Sequence, residues 1–174
     1  VHLAMHVDTG EPVEVVRAAE TSYAAQLGGP GPFGELLWKE ARRRRWDQAL
    51  DTQVIGDGAP WIWNLANLHF GDSHQVVDWY HAKEHLLAAV RLLHPQDETA
   101  FAKTLSSLET LLYRGHARQI ADNLDLAAVS RPAQAEALHK EAAYFRSNQR
   151  RMNYMELREG RWLIGSGTVE SGAK

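Results

Sequence analysis

Two short apolar runs, each ending in an acid, constrain this chain more than any other feature. Thr52–Asp57 reads TQVIGD and Gln75–Asp78 reads QVVD. Such runs are too short for helices, and their Val and Ile content suits strands. Between them, Gly58-Ala59-Pro60 turns the chain, and Trp61–Phe70 has the spacing of a short amphipathic helix. Strand, helix and strand with so little linker predict a βαβ unit, because parallel neighbours need a crossover, usually helical. Acids at the carboxyl ends of adjacent parallel strands point at one crevice, where open α/β sheets bind ligands.

The rest of the chain frames that unit. Val1, Leu3, Met5 and Val7 alternate with less apolar residues, Asp8-Thr9-Gly10 reads as a turn, and Val13–Arg17 as a second strand. Gly28-Gly29-Pro30-Gly31-Pro32 is expected to break any regular element, and Phe33–Trp46 to be helical. Arg42–Arg45 put four positive charges on one turn. From Tyr80 to Arg151 the pattern is nearly all helical. Its stripes are Leu86, Val90 and Leu93, then Phe101, Leu105, Leu108 and Leu112, then Ile120, Leu124 and Ala128. Pro132 is placed to open a fourth helix carrying Ala135, Leu138, Ala142 and Phe145. Gly165-Ser166-Gly167 is a loop, and Thr168–Ser171 begins another helix.

At 174 residues the chain is sized for one domain with its own core. It has no cysteine, which excludes disulfides, thiolate zinc sites and a Cys nucleophile, and fits a reducing cytoplasm. No apolar run is long enough for a membrane span. Val1-His2-Leu3-Ala4 lacks the basic start of a signal peptide and reads as the interior of a longer chain. The net charge of -3 is unlike a dedicated nucleic-acid binder. Residues 131–174, however, carry 8 basic against 5 acidic side chains, while residues 1–130 carry 11 against 17. That gradient fits either a polyanion partner or a solvated helix face.

Four constellations could carry chemistry. Asp57, Asp78 and Glu170 are acids of the kind that gather hard divalent cations, although acids at strand ends are also ordinary surface residues. His81-Ala82-Lys83-Glu84-His85 is H-x-x-E-H, a zinc-peptidase pattern with two His on one helical face and a possible base. It needs a third ligand, for which Glu136, Glu141 and Glu156 are available; the alternative is helix-surface histidines. Trp61-Ile62-Trp63 and Trp79-Tyr80 could stack on bases or fill a core. Arg146, Arg150, Arg151, Arg158 and Arg161, interleaved with Asn148, Tyr154 and Trp162, could grip phosphates or simply coat a surface.

The strings VIGDGAPWIWNLA (Val54–Ala66), VVDWYHAKEHL (Val76–Leu86), YFRSNQRRMNY (Tyr144–Tyr154) and IGSGTVESGAK (Ile164–Lys174) occur in that order. Together they resemble the bacterial insertion-sequence transposases of the Kra type, which are similar to the Mutator and MULE transposases. The resemblance covers essentially the whole chain. It implies an α/β, RNase H-like catalytic core with its first strand missing and a large α-helical insertion. By that reading residues 1–80 are partial core, 81–151 the insertion, and 152–174 a return to the core. It also implies a D-D-E enzyme that uses Mg²⁺ or Mn²⁺ to cleave transposon ends and join them to target DNA. Asp57 and Glu170 match the second and terminal acids and would hold the metal. Asp78 and His81 match a supporting D-x-x-H element, and Arg146, Arg150, Arg151, Arg158 and Arg161 would touch DNA. The resemblance places the family's first acid on a strand before Val1, so this chain alone is expected to be inactive and to self-associate. Here Ser171-Gly172-Ala173-Lys174 stands where the family usually continues V-E-S-A-C-K. Two alternatives remain: a zinc metallopeptidase using His81, Glu84 and His85, and a non-catalytic relic. Under the transposase reading Asp57 and Glu170 converge to within roughly 10 Å, and His81 faces their crevice.

Overall fold

The computed structural model describes residues 20–166, together with the backbone of two earlier strands, β1 (His2–Met5) and β2 (Pro12–Val15). These pair antiparallel, His2 opposite Val15 and Met5 opposite Pro12, as the alternation predicts. Asp8-Thr9-Gly10, read as their turn, and the Gly167–Lys174 segment with Glu170 lie outside the described residues.

The expected βαβ unit is present. β3 (Gln53–Gly56) and β4 (His74–Val77) run parallel with Gly56 opposite Val77, and α2 (Pro60–His69) links them. Pro60 sits in the first turn of α2, where its missing N–H costs nothing. Asp57 and Asp78 each follow the last residue of a strand. This sheet is two strands wide among the described residues, and helices dominate the rest, so the architecture is α/β with a helical majority.

The Gly/Pro run does not break structure as expected, because α1 (Pro30–Arg43) starts inside it. Gly29 is extended at the N-cap, and Pro30 occupies a first-turn position whose fixed φ already suits a helix. The Arg42–Arg45 stack does not form a free basic patch either. Arg43 clasps Glu40 at 2.6 Å, and Arg44 reaches back to the Ser22 hydroxyl at 2.9 Å. The Arg43 guanidinium, followed by the Ser22 hydroxyl, holds the Glu40 carboxyl down at about 2. Arg45, at φ 60°, turns the chain into a short 3-10 segment, Trp46–Gln48. α1 lies close on α2 because residue 34 is glycine: a Cβ there would stand 2.5 Å from Leu65 Cδ2.

Beyond β4 come α3 (Trp79–Leu93), α4 (Glu98–Tyr113), α5 (Ala117–Val129), α6 (Ala135–Asn148) and α7 (Tyr154–Glu159). Asp78 and Asp97 cap α3 and α4 by accepting the backbone N–H of Tyr80 and Ala100. Pro132 does not open α6. It lies in a separate turn closed by Gln134 N–H on the Arg131 carbonyl, and Ala135 follows as the first helical residue. The chain must reverse between two closely packed antiparallel helices there, and Pro suits that turn. The sequence stripes become one core: Leu86 and Val90, Leu108 and Leu112, Ile120 and Leu124, Leu138 and Phe145 pack with Trp63, Val76 and Val77 of the βαβ unit. The helical stretch is therefore continuous with the sheet rather than a separate body. No helix among the described residues is long and apolar enough to cross a membrane.

After α7 the chain returns to the sheet. The Gln53 side chain donates to the Leu163 carbonyl at 2.6 Å and accepts the Leu163 N–H at 3.3 Å. Trp79 N–H donates to the Ile164 carbonyl at 2.8 Å. Among the described residues the other edge of β3 is unpaired. The Thr52 and Gly56 carbonyls accept from β4, so the alternation of a parallel ladder turns the Gln53 and Ile55 backbone groups the other way. A groove of about 580 Å³, lined by Leu37 and Ala41 of α1 and by Val54 and Ile55, lies along β3.

Candidate active site

The two strand-end acids do different work. Adjacent strands lie about 4.8 Å apart, so Asp57 and Asp78 share one end of the sheet. Asp57 is exposed and spends one oxygen on the Ala59 N–H at 2.8 Å, which shapes the turn into α2. Its other oxygen makes no hydrogen bond among the described residues. Asp78 is 2% exposed and fully engaged. One oxygen accepts Tyr80 N–H at 2.8 Å; the other accepts Ser166 N–H at 2.6 Å and also the Ser166 hydroxyl. Asp78 therefore joins β4, the start of α3 and the Gly165-Ser166 loop at a single carboxylate.

Behind Asp57 stands a cluster from α3 and α6. The Tyr144 hydroxyl donates to the Asp57 carbonyl at 2.9 Å. His85 stacks on the Tyr144 ring, centroids 3.5 Å apart and planes 19° from parallel. Glu141, buried at the edge of the core, lies 2.6 Å from His85 Nδ1. Asn148 donates to the Gly58 carbonyl at 3.2 Å and accepts from Trp63 Nε1 at 2.9 Å. Burial pushes the Tyr144 phenol well above its usual range, and the carboxylates of Asp57, Glu141, Asp78 and Glu84 add to the effect. Burial does the same to Tyr154, whose hydroxyl donates to the Val77 carbonyl at 3.0 Å. These raised values have a consequence for pH. Both phenols stay neutral in the folded chain but ionise above about pH 10 when unfolded, so their stabilisation is intact below that pH and lost as pH rises. Urea midpoints are expected to fall as pH rises from about 10 to about 11.5, and Tyr154→Phe to flatten that decline; equal slopes in both chains would contradict it.

The remaining candidates separate. His81 pairs with exposed Glu84 at 3.1 Å, whereas His85 pairs with Glu141. The two histidines of H-x-x-E-H thus bond different carboxylates through Nδ1. Glu156 accepts from Asn153 at 3.3 Å, and Glu136 adds no third ligand: among the described residues no three histidines or acids gather closely enough to hold a metal ion. The same observation bears on magnesium: Asp57 offers an oxygen, Asp78 offers none, and the described residues alone do not make a site for the ion. Trp63 is buried and Trp79 packs edge-on to Tyr154 at 4.8 Å, so both are core. Trp61 and Tyr80 are 41% and 57% exposed and remain open to a ligand.

Arg146 bonds Asp125 at 2.6 Å and Asp122 at 3.0 Å, tying α6 to α5. Those guanidinium contacts follow His139 as the cause that holds Asp125 below its usual carboxyl range. Arg150 and Arg158 are exposed, Arg151 is half-buried, and Arg161 sits at φ 62°. The sequence reading offered Glu141 only as a possible third zinc ligand and Asn148 only beside the arginines, and it did not single out Tyr144. Their spacing of three and four along α6 was the available signal, since it places them on one face. No protein-family model matches the chain, and no curated protein or solved structure matches it either.

Proposed function

We propose that this chain is the central and late part of the catalytic core of a D-D-E DNA transposase, with an RNase H-like sheet. It acts on transposon ends and target DNA with Mg²⁺ or Mn²⁺. Asp57 and Glu170 hold the ion, Asp78 positions the loop before Glu170, and His81 supports it. The observation that carries this reading is the grip of Asp78 on Ser166. It fixes the loop before Glu170 at the carboxyl end of β4, next to the strand that ends at Asp57. Glu170 is four positions beyond Ser166, and an extended chain covers at most about 14 Å over that distance. The helices between β4 and this return fit the insertion that the resemblance implies. The unpaired β3 edge and its groove leave room for one further strand, where the resemblance puts the family's first acid. An open edge of this kind also favours self-association.

The test compares the 174-residue chain with the same chain preceded by a family-type strand carrying its Asp-Gly. Both are incubated with supercoiled plasmid bearing element ends. The extended chain is expected to cleave with Mg²⁺ or Mn²⁺, the shorter one not. Asp57→Ala and Glu170→Ala are each expected to abolish cleavage and, in a separate Mn²⁺ titration followed by electron spin resonance, to weaken ion binding. Cleavage that survives Asp57→Ala, or a folded extended chain that binds Mn²⁺ no better than Asp57→Ala, would sink the reading.

A further inference from the structure

Arg151 is an unusual cation in this fold. Its Nε donates to the Gln75 carbonyl oxygen at 2.9 Å, and its guanidinium lies over the Trp63 ring, 4.5 Å from the centroid. Gln75 is held in turn, donating its own NH₂ to Asn67 at 2.7 Å. These contacts fix the plane of the guanidinium. Arg43, Arg91 and Arg146 each meet a carboxylate within 2.6 Å. Arg151 has no such ion pair among the described residues, and its terminal NH₂ groups donate to none of them. Burial alone depresses its pKa, with no anion to offset the cost. A half-buried, pre-oriented fork lacking its anion has the geometry that planar carboxylate and phosphate recognition requires.

The space around that fork is a pocket of about 230 Å³ at the amino end of β4. Exposed Arg150 adds a second positive charge to its wall, and Asn153 adds an amide. His74 and Trp162 form an aromatic side, their rings 4.1 Å apart. Glu156 is the opposing feature on the rim. It is exposed and held by one 3.3 Å contact to Asn153, so it can swing into water. We propose that this pocket binds a phosphate group through Arg151 and Arg150, with the His74–Trp162 pair against the attached sugar or base. The phosphate could belong to a DNA strand or to a free nucleotide. His74 is four residues before Asp78 on one strand. At about 3.3 Å per residue that is about 13 Å, or roughly four rises along duplex DNA. A backbone phosphate here would therefore register a strand passing the Asp57 crevice. That last step rests on the transposase reading; the phosphate site does not.

Fluorescence anisotropy of a labelled 12-nucleotide DNA, with inorganic phosphate and a deoxynucleoside monophosphate as competitors, tests the proposal. Arg150→Gln, an exposed change that leaves the core intact, is expected to weaken binding about tenfold and to lower the salt slope by about one. Arg151→Lys keeps the charge but loses the fork, and is expected to weaken it comparably. Glu156→Gln is expected to tighten it. The binding assay contains no Mg²⁺ or Mn²⁺ and reads no cleavage, which separates this site from the catalytic reading. A nucleotide that competes as well as unlabelled DNA assigns the site to free nucleotides; far stronger competition by DNA assigns it to the backbone. Equal affinities in the Arg150→Gln, Arg151→Lys and Glu156→Gln chains, or binding that phosphate cannot displace, would overturn it.

Discussion

Asp78→Ala is expected to cost about 3–4 kcal/mol and to release residues 162–166 from the sheet. Two losses add. The N-cap of α3 is worth about 1 kcal/mol, because Tyr80 N–H loses its acceptor. The paired hydrogen bonds from Ser166 to a buried carboxylate are worth about 2–3 kcal/mol more, because both end on one oxygen of a residue 2% exposed. In a chain of 174 residues each kcal/mol moves the midpoint by about 2–4 °C, so a fall of about 6–16 °C is expected by far-UV circular dichroism. Asp78→Asn should fall about half as far. It keeps an acceptor for Tyr80 but presents an NH₂ to the Ser166 N–H. Hydrogen exchange supplies the local test. The Ser166 amide should lose protection in Asp78→Ala while amides in α5 keep theirs at matched stability. A protected Ser166 amide in Asp78→Ala would show that Gln53 and Trp79 hold the return segment without this carboxylate.

What the sequence displayed and what it hid divide along a physical line. Periodicity reports which face of an element is buried. It therefore delivered β3, β4, α2 and the stripes of α3–α6, since Val76, Leu86, Leu112, Leu124 and Phe145 must all leave water. It also placed Asp57 and Asp78 at the same end of the sheet, because parallel strands put their carboxyl ends together. Periodicity does not report what stands across from a face. The partners of Arg146, Asp122 and Asp125, lie more than 20 residues earlier. Asp78 looked like a second metal acid, and its partner Ser166 is 88 residues away. Glu141 and His85 are likewise 56 residues apart. The proline errors have another origin. Pro30 starts a helix while Pro132 precedes one, and that choice depends on whether the neighbouring helix leaves the chain room to turn.

Gly58→Ala is expected to be the most damaging single methyl added near the site, at about 2–6 kcal/mol. Gly58 has φ +98°, a conformation that costs a residue with a side chain about 1–3 kcal/mol. Its new Cβ would stand 2.7 Å from Tyr144 Cε2, 3.0 Å from the Tyr144 hydroxyl and 3.1 Å from Asn148 Nδ2. Neither neighbour can yield cheaply. Tyr144 has His85 stacked on its ring and donates to the Asp57 carbonyl. Asn148, 2% exposed, is pinned between Trp63 and the Gly58 carbonyl. Overpacking of this kind costs a further 1–3 kcal/mol or so, and any relief moves the turn that carries Asp57. A double-mutant cycle separates the two costs. Tyr144→Ala should recover the clash but leave the backbone strain, so Gly58→Ala should hurt less in that background than in the parent chain. Urea midpoints for the four chains measure it. An alanine tolerated in the parent within about 0.5 kcal/mol, the usual span of neutral surface changes, would mean that the Asp57–Pro60 turn is free to shift. The close contact of Tyr144 with Gly58 would then not be what holds Asp57 at the end of β3.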